Sequence, residues 1–130
     1  MKLCRSDCFG LFHMTSNDLE IRKETIERII RFRDERNWIQ FHNLKDLAIS
    51  ISLEASELLE CFQWSGSDTE VASNHKEMKE ELSDVIIYAI LLADRLNIDL
   101  DAAIKEKIAQ NAKKYPVEKS YGKASKYTEI

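Results

Sequence analysis

The chain has 130 residues, of which 44% are hydrophobic and 32% are charged, and its formal net charge is −4. This length corresponds to one domain with enough apolar material for a core. Three glycines and one proline leave few breaks, which favours an all-α protein, and the longest apolar run (85–93) is too short to cross a membrane. An odd number of cysteines, three, argues against a disulfide framework and is typical of a reducing cytoplasm.

The charges are distributed unevenly along the chain. Residues 54–84 carry nine acidic side chains and two lysines, whereas residues 105–130 carry seven lysines, three glutamates and a net charge of +4. Polymeric nucleic acid needs a continuous basic surface, which this pattern does not provide. The pattern suits a small anion held between a metal ion and lysines, but a solvated basic tail explains the charge equally well.

The first residues differ from the rest of the chain. They contain Cys4, Cys8 and His13, show no helical period and precede a second methionine, Met14. A Cys-x3-Cys pair with one histidine lacks a fourth zinc ligand, and the segment is too polar for a secretory signal. We therefore expect residues 1–15 to be a disordered extension, or translation to start at Met14, ahead of one domain at 16–130.

Four segments then show apolar side chains at intervals of three and four residues, which predicts helices. The turn signal at residues 64–68 separates the second helix from the third. The third helix is apolar on nearly all sides over residues 85–93, which a four-helix monomer rarely encloses, so we predict a homo-oligomer. The predicted helices run from about Asp18 (capped by Thr15 or Ser16) to Asn37, from the cap Asn43 to the turn, from about Asn74 to Asn97, and from the cap Asp99 to Tyr115.

Polar and aromatic residues of interest lie around these helices. The connection after the first helix contains Trp38, Phe41 and His42, which could frame a planar ligand or plug the end of the bundle. In the fourth helix Asn111 interrupts an apolar stripe one turn after Lys107. It could reach a ligand, or it could hydrogen-bond a neighbouring helix.

The most informative feature is a pair of acidic motifs, Glu54-x-x-Glu57 and Glu81-x-x-Asp84. Residues three apart on a helix are neighbours, so each motif presents two carboxylates side by side. Glu54 and Glu57 lie on the flank of the apolar stripe of the second helix, whereas Glu60 lies opposite. Packing the two helices together would form a four-carboxylate cluster for a divalent cation, and Mg²⁺, which prefers hard oxygen ligands and phosphates, is the natural candidate.

These motifs carry a resemblance to a known family. The run from Phe41-His42 through Leu53-Glu54-Ala-Ser-Glu57-Leu to Trp64, followed by Glu80-Glu81-Leu-Ser-Asp84-Val-Ile-Ile-Tyr88, resembles the MazG-like all-α nucleoside triphosphate pyrophosphohydrolases. Lys107-x3-Asn111-x3-Tyr115-Pro116 and Lys126-Tyr127-Thr-Glu-Ile are similar to the dCTP pyrophosphatase branch. The resemblance covers about residues 18–130 and implies a four-helix MazG-like bundle completed by homo-oligomerisation.

The resemblance also implies a reaction and a set of site residues. It implies Mg²⁺-dependent cleavage of dCTP or a modified dCTP to the monophosphate and pyrophosphate, with Mn²⁺ as a possible substitute. Two departures concern Ser56, where the family often has glycine, and Ile29, where some dCTP enzymes have histidine. The implied metal ligands are Glu54, Glu57, Glu81 and Asp84, and the expected substrate-binding residues are Trp38, His42, Trp64, Tyr88, Lys107, Asn111 and Tyr115. For the general base we expect Glu54 or Glu57, between which the sequence does not choose.

Other functions stay open at this stage. A non-enzymatic oligomeric scaffold or a metal-responsive regulator would show metal-dependent assembly without turnover. Within the enzymes, dUTP or a broad range of nucleoside triphosphates could be the substrate, whereas phosphoribosyl-ATP fits less well. We expect a cytoplasmic homodimer or homotetramer without nucleic-acid or membrane partners.

Overall fold

The computed structural model describes residues 19–129, which contain helices and no strand. The expected extension at 1–15 and the predicted caps Thr15 and Ser16 lie outside the described residues. The all-α prediction is confirmed. The helices are α1 (Lys23–Glu35), α2 (Leu44–Glu60), α3 (His75–Leu96), α4 (Leu100–Lys114) and a short α5 (Val117–Ser120), with 3₁₀ turns at Trp38–Gln40, Ala72–Asn74 and Tyr127–Glu129.

The predicted start of the first helix, at about Asp18, is wrong. Residues 19–22 are not helical, and α1 begins at Lys23 after Arg22, whose side chain makes no capping hydrogen bond. Leu19 is 72% exposed, so no buried apolar contact supports an additional turn there. The end agrees with the prediction, because Asn37 takes a left-handed conformation with φ 52°.

The two predicted side-chain caps are confirmed. Asn43 accepts a hydrogen bond from the Asp46 N–H at 2.9 Å, and Asp99 accepts one from the Ala102 N–H at 3.0 Å. Each satisfies one of the backbone donors that a helix start leaves unpaired. These caps fix where α2 and α4 begin.

The core lies mainly between α2 and α3, which form an antiparallel pair. Leu47 of α2 is 1% exposed, and Ile90 and Leu91 of α3 are 6% and 4% exposed. Burial of such side chains contributes roughly 1.5–3 kcal/mol each. At the connecting end, the Asn74 amide donates to the Cys61 carbonyl at 2.7 Å and ties the start of α3 to the end of α2.

The helix α1 is fastened to α3 by a buried arginine. Arg33 is 4% exposed, and it donates to the Asp94 carboxylate at 2.5 Å and to the Asp34 carboxylate at 2.7 Å. A buried guanidinium requires such partners, since an unpaired charge in the interior is very costly. This ion pair sets the position of α1 along α3.

The helix α4 differs from the prediction. Every residue from 100 to 115 is exposed, including Ile104 (55%) and Ile108 (63%). The expectation that one stripe of this helix faces inward is therefore wrong for the single chain, because no other helix of the described chain covers that stripe. The apolar pattern is present, but its covering surface is not within residues 19–129, and the homo-oligomer stays a prediction. Within these residues no helix is long and apolar enough to cross a membrane.

The Arg33 ion pair gives a test of how α1 is held. Replacing Asp94 with Ala leaves the buried guanidinium with one carboxylate, so we expect the free energy of unfolding to fall by about 1–3 kcal/mol in urea titrations. Asp101→Ala is the matched control, because its 2.6 Å pair with Lys105 is exposed on both sides. The control should change stability by less than about 0.5 kcal/mol. Equal effects of the two substitutions would contradict a structural role for the Arg33 pair.

Candidate functional site

Three carboxylates from two helices come together on the α2–α3 pair. The side chains of Glu54, Glu57 and Glu81 each offer an oxygen, and these oxygens all lie within 4.8 Å of one another. We call these three residues the acidic cluster. The spacing of three residues places Glu54 and Glu57 side by side, and the packing of α2 on α3 brings Glu81 to them.

The environment of the acidic cluster disfavours the charged form of its carboxyl groups. Partial burial raises the pKa of Glu54, and the charges of Glu57, Asp84 and Glu81 raise it further. Desolvation likewise raises the pKa of Glu81, with Glu57 as the next cause. Within residues 19–129 no lysine or arginine forms an ion pair with the cluster. A divalent cation would relieve this repulsion, and three carboxylates are a suitable donor set for Mg²⁺.

The fourth carboxylate of the sequence motif lies elsewhere. Asp84 is exposed and is not among the three residues with oxygens within 4.8 Å. It lies one turn after Glu81 on α3 and lines a neighbouring cavity. Asp84 thus lies between the acidic cluster and the cavity, and its role as a metal ligand stays a prediction.

The cavity lies between α1 and α3 and has a volume of about 710 Å³. Its wall on α3 is formed by Asp84, Ile87, Tyr88 and Leu91. Trp38 and His42 line one end. The opposite wall is one face of α1, with Thr25, Arg28, Ile29, Arg31, Phe32, Arg33 and Glu35. A mainly apolar cavity with a few polar groups is the usual form of a small-molecule site.

A chain of aromatic contacts orders the inner end of the cavity. Trp38 meets Phe32 edge-on with ring centroids 5.7 Å apart, and His42 lies 6.4 Å from both Trp38 and Tyr88. Burial lowers the pKa of His42, and the charge of Arg33 lowers it further. The Nδ1 atom of this histidine is buried without a hydrogen-bond partner. A bound ligand could supply that partner.

The structure does not bring every predicted substrate residue to this cavity. Trp38, His42 and Tyr88 line it, but Trp64 is 92% exposed at the far end of α2. Lys107 and Asn111 are exposed on α4, and Tyr115 packs edge-on against Tyr127 at 6.0 Å. These four residues do not line the cavity, and their contact with a ligand stays a prediction.

Sequence reasoning missed the contribution of α1. Thr25, Arg28, Phe32 and Glu35 recur at intervals of three and four residues and share one face, which lines the cavity. That spacing was visible in the sequence. The many other charges of this helix made the spacing difficult to recognise, because together they are typical of a solvated surface.

Comparison with known proteins agrees with this architecture. Residues 49–130 match the MazG-like family. The chain belongs to the MazG-like family. It is 41% identical over 114 residues to dCTP pyrophosphatase 1 of Mus musculus and 36% identical over 113 residues to that of Homo sapiens; each match covers 82% of this chain and 66% of the relative. The chain thus spans slightly less than two thirds of the length of these two relatives.

A solved structure shows the same family fold. The crystal structure of a pyrophosphatase from Archaeoglobus fulgidus matches with a TM-score of 0.67 and 40% sequence identity, over 75% of this chain and 99% of the archaeal chain. The resemblance identified in the sequence is confirmed by these MazG-like relatives.

The repulsion within the acidic cluster predicts how pH controls cation binding. Glu54 and Glu81 have pKa values above the ordinary value of 4.5 in the native state. At pH values above 4.5 the native state therefore binds more protons than the unfolded chain. The contribution of the acidic cluster to metal-free stability should therefore fall across that window, whereas stabilisation by Mg²⁺ should grow, because the cation competes with protons. Scanning calorimetry from pH 4.5 upward, with and without millimolar Mg²⁺, measures both trends.

The variant Glu54→Gln tests whether the charge of the acidic cluster causes the response to Mg²⁺. Without metal at pH 7 it should raise Tm by about 1–3 °C through relief of repulsion, and it should lose most of the response to Mg²⁺. Glu60→Gln, on the same helix, removes a charge that acts on Glu81 only as the weakest of several causes, so it should keep most of that response. A Mg²⁺ response that is equal in the two variants would show that the cluster does not bind the cation.

Proposed function

We propose that the protein is a Mg²⁺-dependent nucleoside triphosphate pyrophosphohydrolase that converts dCTP or a modified dCTP to the monophosphate and pyrophosphate. The observation that carries the proposal is the position of the acidic cluster beside the aromatic cavity, with Asp84 between them. The acidic cluster suits a cation with bound phosphates, and the aromatic cavity suits a nucleoside. The names of the mouse, human and archaeal relatives support the same reaction.

The acidic cluster requires a cation for this reaction. A triphosphate is strongly anionic, and three carboxylates without metal would repel it. Glu54, Glu57 and Glu81 would hold Mg²⁺, with Asp84 as the fourth predicted ligand and Mn²⁺ as a possible substitute. When bound, the cation would reverse the local field and neutralise phosphate charge.

The carboxylates also supply a proton acceptor. Cleavage between the α- and β-phosphates needs a water molecule that attacks the α-phosphorus and gives up a proton. Glu54 or Glu57 would accept that proton as general base. Tyr88, His42 and Trp38 would hold the nucleoside in the cavity, since their rings order its inner end.

A second copy of the chain would complete the site. Lys107 is a predicted partner of the leaving pyrophosphate, and it lies with Asn111 on α4, whose apolar side chains are exposed. Contact between α4 and another copy would bury Ile104 and Ile108 and could bring these polar residues to a neighbouring cavity. We therefore propose a homodimer or homotetramer that acts in the cytoplasm, where cysteines such as the free Cys61 stay reduced.

Loss of one carboxylate tests the reaction. Glu57→Gln keeps the size of the side chain and removes a cluster charge, so we expect pyrophosphate release from dCTP at saturating Mg²⁺ to fall at least ~100-fold. Glu60→Gln should retain most of the activity. Near-normal turnover by the Glu57 variant would contradict the proposal. Metal-dependent assembly of the unmodified protein without turnover of any nucleoside triphosphate would favour the scaffold function instead.

Substitution on α4 tests the oligomer. Ile108→Glu places a charge in the exposed apolar stripe, so we expect a smaller particle in size-exclusion chromatography with light scattering, and lower activity. Gln110→Glu adds the same charge elsewhere on α4 and should leave the mass unchanged. If the unmodified protein is a monomer and releases pyrophosphate from dCTP, a contact between α4 and a second copy is not needed for activity.

A further inference from the structure

Two arginines on the α1 wall of the cavity have no partner in the described chain. Arg28 and Arg31 both line the cavity and are exposed, and within residues 19–129 neither forms an ion pair or a side-chain hydrogen bond. Arg33 differs, because Asp34 and Asp94 already satisfy it. We call Arg28 and Arg31 the arginine edge. Its guanidinium groups are available to a ligand.

The arginine edge lies at the nucleoside end of the site. The helices α1 and α3 run in the same direction, because Ile21, just before α1, lines a small cavity together with Ser83, whereas Arg33 near the end of α1 contacts Asp94. At ~1.5 Å per helical residue, Arg28 and Arg31 lie level with positions on α3 roughly 12–16 Å beyond Glu81. The three residues of the acidic cluster do not line the cavity. Phosphates held at the cluster would therefore be remote from the arginine edge, and the base would be close to it.

The chemistry of this edge selects oxygen acceptors. A guanidinium group has five N–H donors and no acceptor, and its planar fork matches a carboxylate with two hydrogen bonds. The other charged groups of the lining are Arg33, which is paired, Asp84 at the cluster end, and Glu35, whose carboxylate lies 4.0 Å from Arg36. The unpartnered His42 Nδ1 adds one polar atom on the same cavity. The uncompensated charge of the cavity's nucleoside end is thus positive.

We propose that the arginine edge binds an anionic substituent on the nucleobase, which narrows the substrate class to deoxycytidine-type triphosphates whose ring carries a carboxylate. This inference rests on the proposed function, because that function places the nucleoside in the cavity. Unmodified or methylated rings would fill the aromatic part of the cavity and leave the arginines to water. The carboxylated ring would gain one charge-assisted contact with the arginine edge.

Binding of monophosphates tests the inference without turnover. We expect calorimetry with the full chain to give a Kd for 5-carboxy-dCMP about tenfold lower than for 5-methyl-dCMP, which corresponds to one additional charge-assisted contact. The double variant Arg28→Gln/Arg31→Gln should bring the two Kd values together while leaving that of 5-methyl-dCMP nearly unchanged. Both side chains are exposed and unpaired, so Tm should not fall. Arg22→Gln, which removes an arginine beside α1 but outside the cavity lining, should keep the discrimination.

Each other outcome overturns the inference. Equal affinity of the unmodified protein for the two monophosphates, or binding of neither, would show that the arginine edge does not recognise a base substituent. An equal loss of affinity for both in the double variant would place the arginines on the phosphate. Pyrophosphate release from dCTP and from 5-carboxy-dCTP is measured separately. Turnover without discrimination would reject only the arginine edge, whereas discrimination without turnover would reject only the proposed reaction.

Discussion

The packing of α2 against α3 is the constraint on which the site depends. Burial of Leu47, Ile90 and Leu91 holds the two helices together and thereby forces the carboxylates of Glu54 and Glu81 close to each other. The apolar contacts stabilise the pair, while desolvation, and after it the charges of the neighbouring carboxylates, raise the pKa values of both glutamates. The same contact that stabilises the fold therefore brings together three carboxylates that could hold a cation.

The buried Arg33 links the fold to the cavity in a similar way. Its ion pair with Asp94 fixes α1 on α3, and the gap that remains between these helices is the cavity. Burial lowers the pKa of His42, which lies beside Trp38 and Tyr88, and the charge of Arg33 lowers it further. Arg33 thus positions one wall of the cavity and also contributes to the lowered pKa of a group within it. The hydrophobic period of α1 alone would not have indicated this role.

Helical periodicity could predict much of the fold but only part of the site. It identified α2, α3 and the paired position of Glu54 and Glu57, because their spacing follows directly from the turn of a helix. Helical periodicity also predicted that Asp84 lies next to Glu81. A step of three residues along a helix, however, includes a rotation of about 60° and a rise of ~4.5 Å, and this displacement places Asp84 nearer to the cavity. It recognised an apolar stripe on α4. A period shows that a face is apolar, but it does not show which chain covers that face.

The positions of the two tryptophans bear on whether copies of the chain assemble around one site. Trp38 lies near Tyr88, whereas Trp64 follows the end of α2, which the Asn74–Cys61 hydrogen bond ties to the start of α3. The rise of α3 between these ends is roughly 20 Å. Two tryptophans so far apart cannot stack on one base within a single chain. A nucleoside site that uses both would need Trp64 from a second copy, and the proposed contact through the exposed apolar stripe of α4 would be a separate way to recruit that copy.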